Sequence, residues 1–206
     1  ILMLAAKQNS TLARISTPEQ DKNISTLYKL AKETKFVSSD FTLDTAKSLY
    51  PLDPFSAYSI TQAIQRYGQN ERSLFTFLQV QGDNSINAFE PGSHLTYNLQ
   101  NVYDYIVYNF YSYLKDANTD SMNWSAMKIA IERVEGLEWK SGKELTKAVK
   151  MVKSIGMLNL LGTAGFSMTR EQFCVYVQQS MAIDNPAEVL EILERKKIVR
   201  YAEYKH

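Results

Sequence analysis

One cysteine, Cys174, occurs in 206 residues. A lone thiol excludes an internal disulfide framework and any cysteine-based zinc finger. With His94 and His206 as the only histidines, a His/Cys metal site is not expected either. Glycine (8) and proline (5) are scarce, which favours long helices over many short strands. An excess of one charge is also lacking. The chain has 23 Lys+Arg against 22 Asp+Glu, so neither a strongly basic nucleic-acid binder nor an acidic tail describes it as a whole. No run approaches the ~20 apolar residues of a membrane span, so no membrane contact is expected. A cytoplasmic location is the expectation from the lack of targeting signals.

The motifs of self-contained enzymes are missing as well. At Ser141-Gly142-Lys143-Glu144 the upstream glycine of a phosphate loop is absent, and Glu144 stands where a magnesium-binding hydroxyl belongs. Neither a Gly-x-Gly-x-x-Gly fingerprint nor a Gly-x-Ser-x-Gly elbow occurs. Carboxylate pairs such as Glu188/Glu191 and Asp116/Asp120 have ordinary surface spacing. Cys174 follows Phe173 in a helical stretch and reads as a small buried thiol. No catalytic residue, bound cofactor or metal ligand is therefore expected within this chain.

What is present is helical periodicity. Thr17-Pro18-Glu19 supplies a cap, a first-turn proline and an acidic first turn. Helices are expected over 19–35, 43–49, 53–66, 71–80, 95–115, 122–134, 141–161, 167–181 and 185–196, with a further one over 2–15. Gly68 reads as a left-handed cap, and 81–93 reads as loop. The expected fold is mainly α: a helical bundle over residues 1–120, then a winged-helix-like domain over 121–206. The polar stretch 116–123 is the expected boundary. The second domain rests on three helices followed by the alternating Ile198–Tyr204, read as a short β wing.

Tyrosine is abundant, at 13. The 95–115 helix carries Tyr97, Tyr103, Tyr105, Tyr108, Phe110, Tyr111 and Tyr113 on more than one face. Core packing or a protein partner on this helix is the favoured reading over a stacking platform for single strands. Residues 139–206 hold 11 Lys+Arg against 7 Asp+Glu, whereas the rest of the chain holds 12 against 15. Lys140, Lys143 and Lys147, with Arg195, Lys196, Lys197 and Arg200, are the candidate nucleic-acid contacts. A solvated helix face explains the same charges. Glu188, Glu191 and Glu194 on the last helix oppose groove binding.

Arg72 stands in a helix's first turn, where the helix dipole disfavours a cation. Either a phosphate contact or a salt bridge accounts for it there. The order Tyr50-Pro51-Leu52, then Tyr67-Gly68-Gln69-Asn70-Glu71-Arg72-Ser73-Leu74, then Ala130-Ile131-Glu132-Arg133, Val152 to Gly162 and Val189 to Tyr201 carries a resemblance. It resembles the C-terminal part of large bacterial AAA+-type P-loop ATPases, including those near phage-defence loci, over about residues 46–206. That resemblance implies a helical lid and a winged helix, with Arg72 as a γ-phosphate sensor and Asn70 beside it. It implies a preceding nucleotide-binding core as partner, with ATP and Mg²⁺ only in a full-length protein, since the Walker elements are absent here. The chain, which opens at Ile1, then reads as a non-catalytic regulatory fragment coupling nucleotide state to a nucleic-acid- or partner-binding winged helix. A free-standing helical interaction module and an autonomous DNA-binding protein are the alternatives.

Overall fold

The computed structural model describes residues 15, 17–68, 72–79, 84–89, 95–115 and 119–200. These contain nine α-helices: α1 (Pro18–Glu33), α2 (Leu43–Ser48), α3 (Pro54–Tyr67), α4 (Arg72–Gln79), α5 (Leu99–Lys115), α6 (Ser121–Glu135), α7 (Gly142–Leu161), α8 (Arg170–Met181) and α9 (Pro186–Arg195). Their starts follow from local chemistry. The Thr17 hydroxyl accepts the Gln20 N–H at 3.2 Å, and the Gln20 side chain accepts the Thr17 N–H at 3.3 Å. Thr169 and Gln172 repeat this reciprocal cap on α8. Asp53 accepts the Ser56 N–H at 2.7 Å and caps α3 ahead of Pro54. Ser141 caps α7.

Two helix ends share a device that drives an apolar residue into the core. Lys35 is left-handed (φ 56), its N–H reaches Lys32 O at 3.1 Å, and the Phe36 N–H reaches Ala31 O at 2.9 Å. Lys197 (φ 55) donates to Glu194 O at 2.8 Å, and the Ile198 N–H reaches Leu193 O at 2.9 Å. Both are Schellman caps, which fold the following apolar side chain back against the helix.

The second of these falls at the start of the stretch read as a β wing. Residues 198–200 form no strand, and 201–204 lie outside the described residues. The chain turns back at Lys197, Ile198 and Val199 pack on the core, and Arg133 binds the Lys197 and Lys196 carbonyls, both at 3.1 Å. Ile198 and Val199, the described apolar residues of that alternation, serve the helix end. Among the described residues the only β feature is an isolated parallel bridge, Leu52 to Tyr97. It is made by Tyr97 N–H to Pro51 O (2.8 Å) and Asp53 N–H to Tyr97 O (3.2 Å). That pairing keeps Tyr97 out of the helix, so α5 starts at Leu99, later than the periodicity suggests. Gly68 is also extended (φ −78) rather than left-handed. The helix expected over 2–15 lies outside the described residues except for Ile15.

The longest helix, α7, is central and packs against α3, α5, α6 and α9. Its 20 residues span ~30 Å. Gly156 allows α6 to approach closely: a Cβ there would lie 2.2 Å from Met127 Sδ. One core cluster runs from Leu27 to Leu193, without interruption across the polar stretch 116–123. At its other pole Phe36 meets the rings of Phe55 (4.9 Å), Phe166 (5.1 Å) and Tyr58 (5.5 Å). Among the described residues, no helix is long and apolar enough to cross a membrane.

Candidate functional site

Arg72 is the first residue of α4. Asn70 lies outside the described residues.

The basic residues fall into two groups. Lys140 is exposed on the turn before α7, and Lys143, Lys147, Lys150 and Lys153 follow along that helix. Their environments differ. Lys153 Nζ lies 2.5 Å from Asp104 Oδ1 and 5.3 Å from the centre of the Tyr103 ring. The Gln100 amide donates to the same carboxylate. Lys147 faces Asp184 at 3.8 Å. Lys150 is half-buried. Loss of solvent pushes its ammonium pKa down, and the neighbouring Lys153 charge pushes the same way. The second group, Arg195, Lys196, Lys197 and Arg200, is exposed at and beyond the end of α9.

The two groups do not meet. Asp184, beside Lys147, precedes α9, whereas the second group follows it. The ten residues of α9 put ~15 Å between them. The exposed face of α9 carries Glu188 and Glu191, and Glu194 pairs with Arg170. A phosphate backbone laid along α9 would meet carboxylates between the two basic ends. Cations at a helix C-terminus also complement its dipole, which accounts for Arg195 to Lys197 without a ligand.

The long aromatic helix has two regimes. Tyr97, just ahead of it, and Tyr103 and Tyr105 within it are buried. Tyr97 packs on Phe77 and Phe89, Tyr105 on Phe77 and Phe110, and Tyr103 on Trp124. From Tyr108 onward, across a departure from helical geometry at Phe110 (φ −120, ψ 17), most of the helix surface is exposed, with Phe110 and Leu114 still against the core. Tyr108, Tyr111 and Tyr113 are 60%, 51% and 42% exposed. Tyr113 still touches Tyr67, whose hydroxyl donates to Asp120 at 2.7 Å.

One buried cluster has no counterpart in the sequence reading. Asp53 is fully buried, with Oδ2 accepting from Thr96 Oγ1 and from the Tyr176 hydroxyl, both at 3.3 Å. The Tyr176 hydroxyl in turn accepts the Leu99 N–H at 3.0 Å. Thr96 also donates to Ser180 O. The cluster ties the start of α3 to the 96–99 segment and to α8. Burial pushes the Asp53 carboxyl pKa up to about 7, against the opposing pull of these donors. Asp53-Pro54 signals a helix cap in the sequence, but nothing local signals its burial.

Two cavities open on the C-terminal half. One of about 490 Å³ lies between α7, α8 and the end of α9, with Leu158, Phe166, Phe173 and Leu190 among its walls. The Arg170–Glu194 pair at its rim is already neutralised. The other, of about 330 Å³, lies beside Lys143, Lys147 and Lys150. Among the described residues no group of three or more His, Cys, Asp or Glu could hold a metal ion. No protein-family model, curated protein or solved structure matches this chain.

Proposed function

We propose that this chain is a non-catalytic helical interaction module that docks a protein partner through the distal end of α5. The observation that carries this reading is the change along one helix from buried to exposed tyrosines. Tyr103 and Tyr105 serve the core, while Tyr108 and Tyr111, three residues apart, present large aromatic surface to solvent. Tyrosine supplies contact area at low entropic cost and is enriched in interfaces. A photo-crosslinking aromatic placed at position 108 or 111 should capture the same species from native cells. The same probe at Asp40, on an exposed loop, should not. Equal capture from position 40 would defeat the reading, as would none from 108 and 111.

The lid-and-winged-helix reading keeps a narrower support. It rests on the residue pattern around Arg72 and on the position of Arg72 at the head of α4. In a longer native protein with a nucleotide-binding core, Arg72→Ala should slow ATP hydrolysis at least about tenfold, as removal of a γ-phosphate-sensing arginine does. Unchanged hydrolysis and nucleotide affinity would remove that role.

A further inference from the structure

We infer that the groove between the N-terminal half of α7 and the turn joining α8 to α9 is a binding site for phosphate oxyanions, held by Lys143, Lys147 and Lys150. The groove encloses about 330 Å³, and buried Met181 and Ile183 form its apolar side. The three lysines follow one another at i, i+4 and i+7, so they share a helix face and span ~10 Å along it. The molecule separates them from the other α7 lysines. Lys153 is committed to Asp104, and Lys140 lies outside the groove's lining.

The charges in the groove favour an incoming anion. The Asp184 side chain is 87% exposed and lies 3.8 Å from Lys147, which also donates to the Asp184 carbonyl at 3.4 Å; so exposed a charge pair stabilises little. Lys150 bears the charge of Lys153 while losing solvent, and an oxyanion beside it relieves both penalties. Asp104, which pulls the other way, is engaged by Lys153 and Gln100. Ammonium groups bind phosphate as point charges, without the planar matching that guanidinium needs. Three of them over ~10 Å suit a ligand with more than one phosphate. Two sources share that chemistry: a free polyphosphate and the backbone of a nucleic acid. The inference is independent of the α5 docking reading and uses none of its residues.

The test is titration of the whole chain with tripolyphosphate and with a mixed-sequence 20-nucleotide single strand. Lys147→Gln/Lys150→Met should weaken binding at least tenfold, and the exposed Lys143→Gln about threefold. Lys128→Gln, on exposed α6 surface, should leave binding within twofold. For a bound strand, three phosphate contacts predict a slope of log K against log salt of about −2. Backbone amide shifts should centre on residues 181–183. Binding of tripolyphosphate alone identifies a free polyphosphate as the ligand class, and binding of the strand identifies a nucleic-acid backbone. No binding of either probe overturns the site. So does an equal loss in Lys128→Gln, which signals general surface charge. Should the double variant unfold, Lys143→Gln alone decides: unchanged affinity refutes the site.

Discussion

Between about pH 4 and pH 7 the native chain should lose roughly 4 kcal/mol of stability that an Asp53→Asn variant keeps. Asp53 is fully buried and no cation among the described residues faces it; its partners are the Ser56 N–H, the Thr96 hydroxyl and the Tyr176 hydroxyl. Burial disfavours the ionised form and raises the folded pKa from 3.8 to about 7. The folded state therefore holds a proton that the unfolded chain has released in this window. The contribution is fully present below about pH 4, declines through the window and is gone above about pH 7. Asparagine keeps the Oδ1 that caps α3. Its amide can donate to Thr96 Oγ1, which turns to Ser180 O, and to Tyr176, whose oxygen has a second lone pair. Urea unfolding of both proteins at pH 4.5, 6 and 7.5 measures the effect. A stability difference that stays constant across the three values would show that Asp53 does not titrate in the window.

Phe36→Ala should cost about 3–5 kcal/mol, equivalent to a Tm drop of roughly 10 °C or more. Phe36 is fully buried against Phe55, Tyr58 and Phe166, which come from α3 and from the loop before α8. That loop is already fastened to the end of α1: the Ser167 N–H reaches Thr34 O at 3.2 Å, and the Thr163 hydroxyl reaches Lys35 O. Three rings that lose their common neighbour cannot all close on the cavity, because separate backbone bonds hold them. Tyr108→Ala, on the exposed end of α5, should change stability by no more than about 0.5 kcal/mol. A Phe36→Ala effect as small as that would mean that the ring cluster contributes little to the core.

The helical composition of the chain was readable because its causes are local. Thr17-Pro18, Asp53-Pro54, Ser141 and Asn185-Pro186 mark helix starts within one or two residues of where they occur. Apolar residues at helical spacing along 141–161 include the buried Ala148 and Val152, whereas Leu145, Val149 and Ile155 are only partly buried. The basic face of the same helix was also visible. Which of its lysines line a groove was not, because Asp104 and Asp184 are 49 and 37 residues from their partners in the chain.

The residues at 198–200 show the limit most plainly. Alternation is the pattern of a half-buried strand, but a strand also needs a neighbour, and pairing is non-local. Ile198 and Val199 close the end of α9. The same distinction separates Tyr105 from Tyr108 on one helix: identical residues three apart, one buried beneath Phe77 and one in solvent. Asp53 is a helix cap by sequence. It became a buried titrating group only where Thr96 and Tyr176 closed over it. Hydrogen bonds within a turn and side-chain periodicity are short-range, so the order of residues sets them. Burial and the pairing of distant charges depend on which helices meet, and here that meeting was arranged around α7.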